Sequence, residues 1–173
     1  MTSLGRKALM LAAVVVIVDQ AVKWWILSGL NLPLIGSQRL FGPFYLTMVW
    51  NSGVSFGFLQ AQHDLVRWLL AAFSVGVAVL LGAWVRKAER PLFAVAVGLV
   101  MGGAIGNVID RIRLAAVADF IDVRALTAGL FPWIFNIADA AISVGVVLLL
   151  IDMLRQDGRE RAKAAGPLGG DAA

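Results

Sequence analysis

Asp119 and Asp139 are the residues with which this chain is best equipped to do chemistry. The first stands in Val117-Ala118-Asp119-Phe120-Ile121-Asp122, the second in Asn136-Ile137-Ala138-Asp139. Two carboxylates brought close together cannot both ionise cheaply, so they share one proton. The ionised member can take a proton from water while the protonated one donates to a peptide carbonyl oxygen. That is hydrolysis without metal, thiol or imidazole. It suits a chain of 173 residues with no Cys and one His, which removes a thiol nucleophile, a disulfide framework and the usual zinc sites. The one histidine, His63, is expected in a loop with no catalytic-looking neighbour. Nine of the eleven acidic residues are Asp, so acid–base chemistry here is aspartate chemistry. Spacing alone leaves a proton relay, an ion path and a structural network open beside catalysis.

Further polar residues fall within apolar stretches, where a charge at mid-bilayer costs roughly 2.5–3.5 kcal/mol and therefore marks a functional candidate. Asp19 and Lys23 have i, i+4 spacing, which puts them on one helical face as an ion pair, with Gln20 beside them. We read that pair as support rather than as direct catalysis. Gly98, Gly102 and Gly106 recur every fourth residue and let a neighbouring helix approach closely. Asn107, Asp110 and Arg111 share a face just beyond them; substrate contact and a network pinning the next loop fit Asp110 and Arg111 equally well. Asn136, Asp139 and Ser143 form another stripe. Asp139 is expected about five residues inside its helix, roughly 7–8 Å below the outer end. Asp119 is expected in the preceding loop. If that loop folds back over the bundle, the two carboxylates meet at the membrane surface.

The elements that must hold these residues are membrane helices. The chain is 60% hydrophobic and 15% charged, with a mean hydropathy of +0.85, which a soluble domain rarely reaches because its surface must carry charge. Apolar runs at residues 8–27, 65–85, 92–109 and 134–153 each approach the roughly 20 residues that cross a bilayer core. We expect one integral membrane domain over residues 1–155, mainly α, with four transmembrane helices and a small extracytoplasmic β region. The first run follows Arg6 and Lys7 but carries Asp19, Gln20 and Lys23 and lacks a small-residue cleavage site, so it reads as a retained span, not a signal peptide. Arg6 and Lys7, then Arg86, Lys87 and Arg90, then Arg155, Arg159, Arg161 and Lys163 place both termini and the middle loop in the cytoplasm. Arg111, Arg113 and Arg124 depart from that rule. Trp24, Trp25, Trp68, Trp84 and Trp133 stand near span ends, as interface anchors do. Phe44–Trp50, rich in aromatic and β-branched residues, reads as an outer strand. Residues 156–173, charged and Gly/Ala-rich, read as a disordered cytoplasmic tail.

Five blocks in order resemble the bacterial lipoprotein signal peptidases, the signal peptidase II family. They are Val18-Asp19-Gln20 with Lys23, Asn51-Ser52-Gly53-Val54-Ser55-Phe56-Gly57, Gly102 through Arg111, Val117-Ala118-Asp119-Phe120, and Phe135-Asn136-Ile137-Ala138-Asp139-Ala140-Ala141-Ile142. Together they cover nearly the whole chain except the tail. The resemblance implies an aspartyl endopeptidase of the inner membrane, with no cofactor and no metal. It implies cleavage of prolipoproteins just before a cysteine that already carries a diacylglyceryl group, near the outer, periplasmic face. It maps the catalytic dyad onto Asp119 and Asp139. Asn51, Gly53, Asn107, Arg111 and Asn136 match positions that line or order the substrate pocket, and Asp19, Lys23 and Asp110 match supporting ones. The block around Asp119 reads Val-Ala-Asp where members often have Val-Val-Asp, a change of no expected consequence. Arg111 is then a candidate to hold the dyad's surroundings or a substrate carbonyl.

Two rival readings make different demands. A small carrier using Asp19, Asp110 and Asp139 as a proton path would load liposomes with a solute and cleave nothing. A metal-dependent lipid enzyme holding Mg²⁺ on clustered Asp would be sensitive to chelator.

Overall fold

The structure is a computed structural model and describes residues 1–53 and 60–164. Four long helices dominate: α1 Ser3–Trp24, α3 Gln60–Val85, α4 Pro91–Arg113 and α5 Ile137–Ala164. Within them the segments Ser3–Gly29, Asp64–Val85, Pro91–Arg113 and Ile137–Arg161 are long and apolar enough to cross a membrane. The chain is thus a multi-pass membrane protein, mainly helical. α1 runs on into a π-helical turn, Trp25–Gly29, and is followed by the short α2, Leu32–Ile35. Trp24, Trp25, Trp68, Trp84 and Trp133 are all exposed.

α4 is the central post, with α1, α3 and α5 packed around it. Its small residues make this possible. A Cβ on Gly102 would lie 2.7 Å from the Ala12 carbonyl of α1, and one on Gly106 would lie 2.6 Å from Oδ2 of Asp19. The glycine stripe is therefore the seat of α1, and its last member leaves room for a carboxylate. At the other end of the bundle the Thr2 hydroxyl accepts from Gly5 N–H at 3.0 Å and donates to the Ala88 carbonyl at 2.9 Å, which ties α1 to the α3–α4 turn. Arg90, at the start of α4, pairs with Asp152 of α5. Most of the basic residues of the chain thus gather at the end away from Asp119 and Asp139.

The opposite end carries a four-stranded antiparallel sheet, β1 Ser37–Phe41, β2 Phe44–Asn51, β3 Val117–Asp122 and β4 Ile134–Phe135, in that order. The expected outer strand is β2. Tyr45 and Leu46 pair with Asp122 and Ile121, whereas Val49, Trp50 and Asn51 pair with Asp119, Ala118 and Val117, so one extra residue bulges from β2 between Leu46 and Val49. Phe120, 2% exposed, joins Ile26, Leu32 and Leu46 in a compact apolar cluster that fastens the sheet to the π-helical turn and α2. Burying that ring contributes roughly 1.5–3 kcal/mol.

Several local expectations change. Asp119 lies on a strand rather than in a loop, because Val117–Asp122 is buried along almost its whole length and pairs on both sides. Asp139 is the third residue of α5, not the fifth or so, because Ile134 and Phe135 leave the apolar run to pair with β3. His63 falls in the first turn of α3. α5 continues through residues 156–164, where a tail was expected. Ala, Arg, Glu, Lys and Gln are good helix formers, and extending an existing helix requires no new nucleus. Positions 54–57 of the Asn51 block and residues beyond 164 lie outside the described residues.

Candidate active site

Asp119 owes its direction to the period-two alternation of a strand. Phe120 turns into the apolar cluster, so Asp119 must point to the other face. There it meets Asn51, its diagonal cross-strand neighbour, whose Nδ2 donates to Asp119 Oδ2 at 3.0 Å. Asn136 Nδ2 donates to the other oxygen, Oδ1, at 2.7 Å.

Asn136 itself caps α5. Its Oδ1 accepts the Asp139 backbone N–H at 2.9 Å, and Asp139 Oδ2 accepts the Asn136 backbone N–H at 3.2 Å. This is a reciprocal capping box of the form Asn-x-x-Asp. Asp139 therefore has one oxygen committed to the helix start. The other, Oδ1, accepts from Asn107 Nδ2 of α4 at 2.7 Å. Each carboxylate oxygen of the pair thus receives one N–H donor. Asn136 touches both acids, through its side-chain amide on Asp119 and through its backbone on Asp139.

The three asparagines cannot be turned around without loss. Asn51 Oδ1 accepts Gly53 N–H at 2.9 Å, which assigns its NH₂ to Asp119. Gly53 has φ +81, a left-handed conformation in which glycine is unstrained. Asn136 Oδ1 is held by the helix N–H. Asn107 Oδ1 accepts from Asn136 Nδ2 at 3.2 Å and from Lys23 Nζ at 3.3 Å, leaving its NH₂ for Asp139.

Behind this layer is a buried charge cluster. Lys23 Nζ lies 2.9 Å from Asp19 Oδ2 and 2.8 Å from Asp110 Oδ2. Asp19 Oδ1 accepts the Ala138 N–H of α5 at 3.0 Å, and Asp110 accepts Ala118 N–H of β3 at 3.1 Å and Gln20 Nε2 at 2.9 Å. The expected i, i+4 pair is present; its Asp19 holds the start of α5, and Asp110, bonded to the same ammonium, holds the start of β3. Breaking such a buried pair from one side costs about 3–5 kcal/mol. Arg111 NH1 donates to the Asn107 carbonyl at 3.3 Å, while its buried Nε has no partner among the described residues. Two further arginines at this end of the bundle are also engaged. Arg113 reaches Gln20 Oε1 at 3.3 Å, and Arg124 grips Asp122 through Nε and NH2 at 2.9 and 2.7 Å. That guanidinium holds the Asp122 carboxyl well below the ordinary carboxylate range.

Asp119 and Asp139 open into one cavity of about 520 Å³, floored by Ala140, Ser143 and Val144 of α5 and walled by Phe131, Trp133 and Phe135. Phe131 meets Trp133 and Phe135 edge to face, with ring centroids 5.4 and 5.9 Å apart. Burial raises the Asp119 carboxyl to about 6, and the Asp139 charge pushes it the same way. The amides of Asn51 and Asn136 and the Lys23 charge pull it back in part. The site therefore pairs a carboxyl that can hold a proton near neutrality with a second carboxyl, beside an apolar groove.

The sequence motif model described as signal peptidase (SPase) II matches residues 11–155. The chain belongs to the signal peptidase II family. A lipoprotein signal peptidase of Caulobacter vibrioides is 53% identical over 152 residues, covering 87% of this chain and 88% of that protein. One of Methylobacterium radiotolerans is 44% identical over 170 residues, covering 97% and 96%. Two solved structures, each described as a bacterial membrane enzyme obtained by the in meso method, superpose with a TM-score of 0.72. They share 26% and 29% identity, over 96% and 86% of this chain and 94% and 92% of theirs.

All the candidate residues of this signal peptidase II chain are brought together: Asp119, Asp139, Asn51, Asn107 and Asn136 in one bonded layer, with Asp19, Lys23, Asp110 and Arg111 behind it and Gly53 fixing Asn51. Reading residue types missed the capping role of Asn136, although Asn-x-x-Asp ahead of an apolar run is a helix-start signature. It also missed the aromatic wall, of which Trp133 reads only as an interface anchor.

Proposed function

We propose that this signal peptidase II chain is an aspartyl endopeptidase that removes the signal peptide from diacylglyceryl-modified prolipoproteins, immediately before the lipidated cysteine. The observation that carries the reading is the opening of Asp119 and Asp139 into one largely apolar cavity with every carboxylate oxygen held by an N–H donor. Such donors fix both acids in place before substrate arrives, which is where preorganised sites gain their rate. One aspartate takes a proton from the attacking water and the other protonates the carbonyl oxygen of the scissile bond. The C–N bond of the tetrahedral intermediate then breaks as one aspartate passes its proton to the leaving nitrogen and the other takes a proton from a hydroxyl of the intermediate, which regenerates the shared-proton pair. The reaction needs no cofactor. Arg111, whose buried Nε has no partner among the described residues, is suited to a substrate carbonyl.

The setting is the inner membrane, with both termini and the basic end of the bundle in the cytoplasm and the sheet at the periplasmic face. A signal peptide is an apolar helix that reaches the cavity along α5 while the acyl chains of the modified cysteine remain in lipid. Membrane lipid is thus a partner as much as the prolipoprotein is. The test is cleavage of a purified diacylglyceryl-modified prolipoprotein by the reconstituted protein, with chelator present throughout. We expect a single cut before the lipidated cysteine, undiminished by chelator, and at least about tenfold slower turnover of the unmodified precursor. Cleavage abolished by chelator would instead favour metal chemistry. Solute uptake without cleavage would favour a carrier.

The pH dependence has a definite sign. As pH rises through about 6, Asp119 gives up its proton, both carboxylates are ionised and the carbonyl loses its acid. The descending limb of kcat/KM, which reports the free enzyme, is expected there. An apolar substrate covering the site disfavours charge further, so the limb of kcat should lie higher. The reaction also needs an ionised carboxylate to take the proton of water, so activity falls again in acid once the pair carries two protons. A kcat/KM flat from about pH 4 to pH 9 would rule out proton sharing.

A further inference from the structure

The ammonium of Lys23 is 2% exposed and spends its three N–H bonds on three acceptors: Asp19 Oδ2 at 2.9 Å, Asp110 Oδ2 at 2.8 Å and Asn107 Oδ1 at 3.3 Å. An ammonium has donors and no acceptor. Asn107 can therefore present only its oxygen to Lys23, and its NH₂ is left facing Asp139 Oδ1 at 2.7 Å. Turned over, the same amide would set NH₂ against the ammonium and against Asn136 Nδ2. It would also set its oxygen against the Asp139 carboxylate. An amide whose two ends are nearly equal in shape is in this way held in one orientation by a charge on α1 together with the Asn136 amide.

From this geometry we infer that Lys23 is a positioning residue of the peptidase reaction: it acts through the Asn107 amide, holding that N–H on Asp139. The inference rests on the reading of Asp119 and Asp139 as the reacting pair. The charged and titratable groups around the amide are Lys23 and Asp19 from α1, Asp110 and Arg111 from α4, Asp119 from β3 and Asp139 from α5. Among these described groups Lys23 is the cation bonded to the amide oxygen. Without it only Asn136 Nδ2, at 3.2 Å, still holds that oxygen, and the amide is freer to invert and offer its oxygen to Asp139. That pairing requires a protonated Asp139, so it withdraws the shared proton from the reaction. The arrangement also gives the buried charges of α1 a part in the chemistry beyond holding helices together.

Lys23→Met alone would strand two buried carboxylates, so the variant to make is Lys23→Met/Asp110→Asn. It keeps the net charge of the cluster at −1, and an asparagine at 110 can still accept from Ala118 N–H. Turnover of the lipidated prolipoprotein is measured for this swap in the wild-type background and in Asn107→Ala, with Asp139→Asn in the same series. In the wild-type background we expect kcat to fall about 10–100-fold with KM within about twofold, and in Asn107→Ala the swap should cost almost nothing more. A merely structural ammonium predicts the same loss in both backgrounds, or a loss carried by KM, and either result overturns the inference. Failure of the charge-matched variant to fold counts against it equally. If Asp139→Asn keeps its turnover, the reading of the pair is what has failed. If Asp139→Asn is dead and the swap costs the same in both backgrounds, only the role of Lys23 is withdrawn.

Discussion

Asp139→Asn and Asp119→Asn should each lower kcat by about 10³–10⁴-fold while the folded protein persists. The substitution keeps shape and removes the one property the mechanism needs, the ability to trade a proton. Each acid also receives two N–H donors, Asn51 and Asn136 on Asp119, Asn107 and the Asn136 backbone on Asp139. An asparagine has a single oxygen to offer, so one donor at each site would face an NH₂ group. Losing one such bond costs roughly 1–3 kcal/mol, within the reach of a folded membrane protein. Thermal unfolding in detergent should thus shift modestly while cleavage disappears. Near-normal turnover of either variant would make that aspartate structural and send the search for the reacting pair elsewhere.

Asn136→Ala should have the next largest effect, because three separate contacts end on one side chain. The variant loses the donor to Asp119, the bond to Asn107 and the acceptor that caps α5 at Asp139 N–H. Loss of the cap destabilises by about 0.5–2 kcal/mol. Loss of a preorganised donor beside a reacting group costs about 10²–10³-fold in kcat. The two losses can be separated with Asn136→Ser. Serine caps a helix well but is too short to reach Asp119, so stability should return while turnover stays low. If Asn136→Ser restored turnover as well, the amide's contact with Asp119 would be dispensable.

The membrane helices were legible from hydropathy because lipid imposes length and apolarity on each span independently of the others. The Asp19–Lys23 pair was legible for a similar reason, since i, i+4 geometry is local. The glycine stripe announced a close neighbour, though not that α1 would be the one. What could not be read locally was the strand carrying Asp119. Val117–Asp122 has two Asp in six residues and looks like a polar loop until β2 pairs with it, and Asn51 stands 68 residues away from Asp119 in the chain. The short β4 is invisible for the same reason, and its pairing with β3 moved the start of α5. The order of the amide layer depends on contacts among α1, α4, α5 and the sheet. Residue types named Asn107 and Asn136 and the family resemblance named Asn51, but only their packing shows which donor meets which oxygen.

The extra residue in β2 makes chain length, as well as residue identity, part of the site's specification. Tyr45 and Leu46 keep one register against β3, and Val49, Trp50 and Asn51 keep another. Were the ladder uninterrupted, position 50 rather than 51 would stand diagonally across from Asp119. The aspartate would then face the indole of Trp50, which lacks an oxygen to receive Gly53 N–H and is far larger than the carboxamide it displaces. Position 51 would turn to the opposite side of the sheet. A deletion or insertion between Leu46 and Val49 is therefore a different kind of injury from a substitution there. It leaves every polar residue in the chain and delivers the wrong one to the carboxylate.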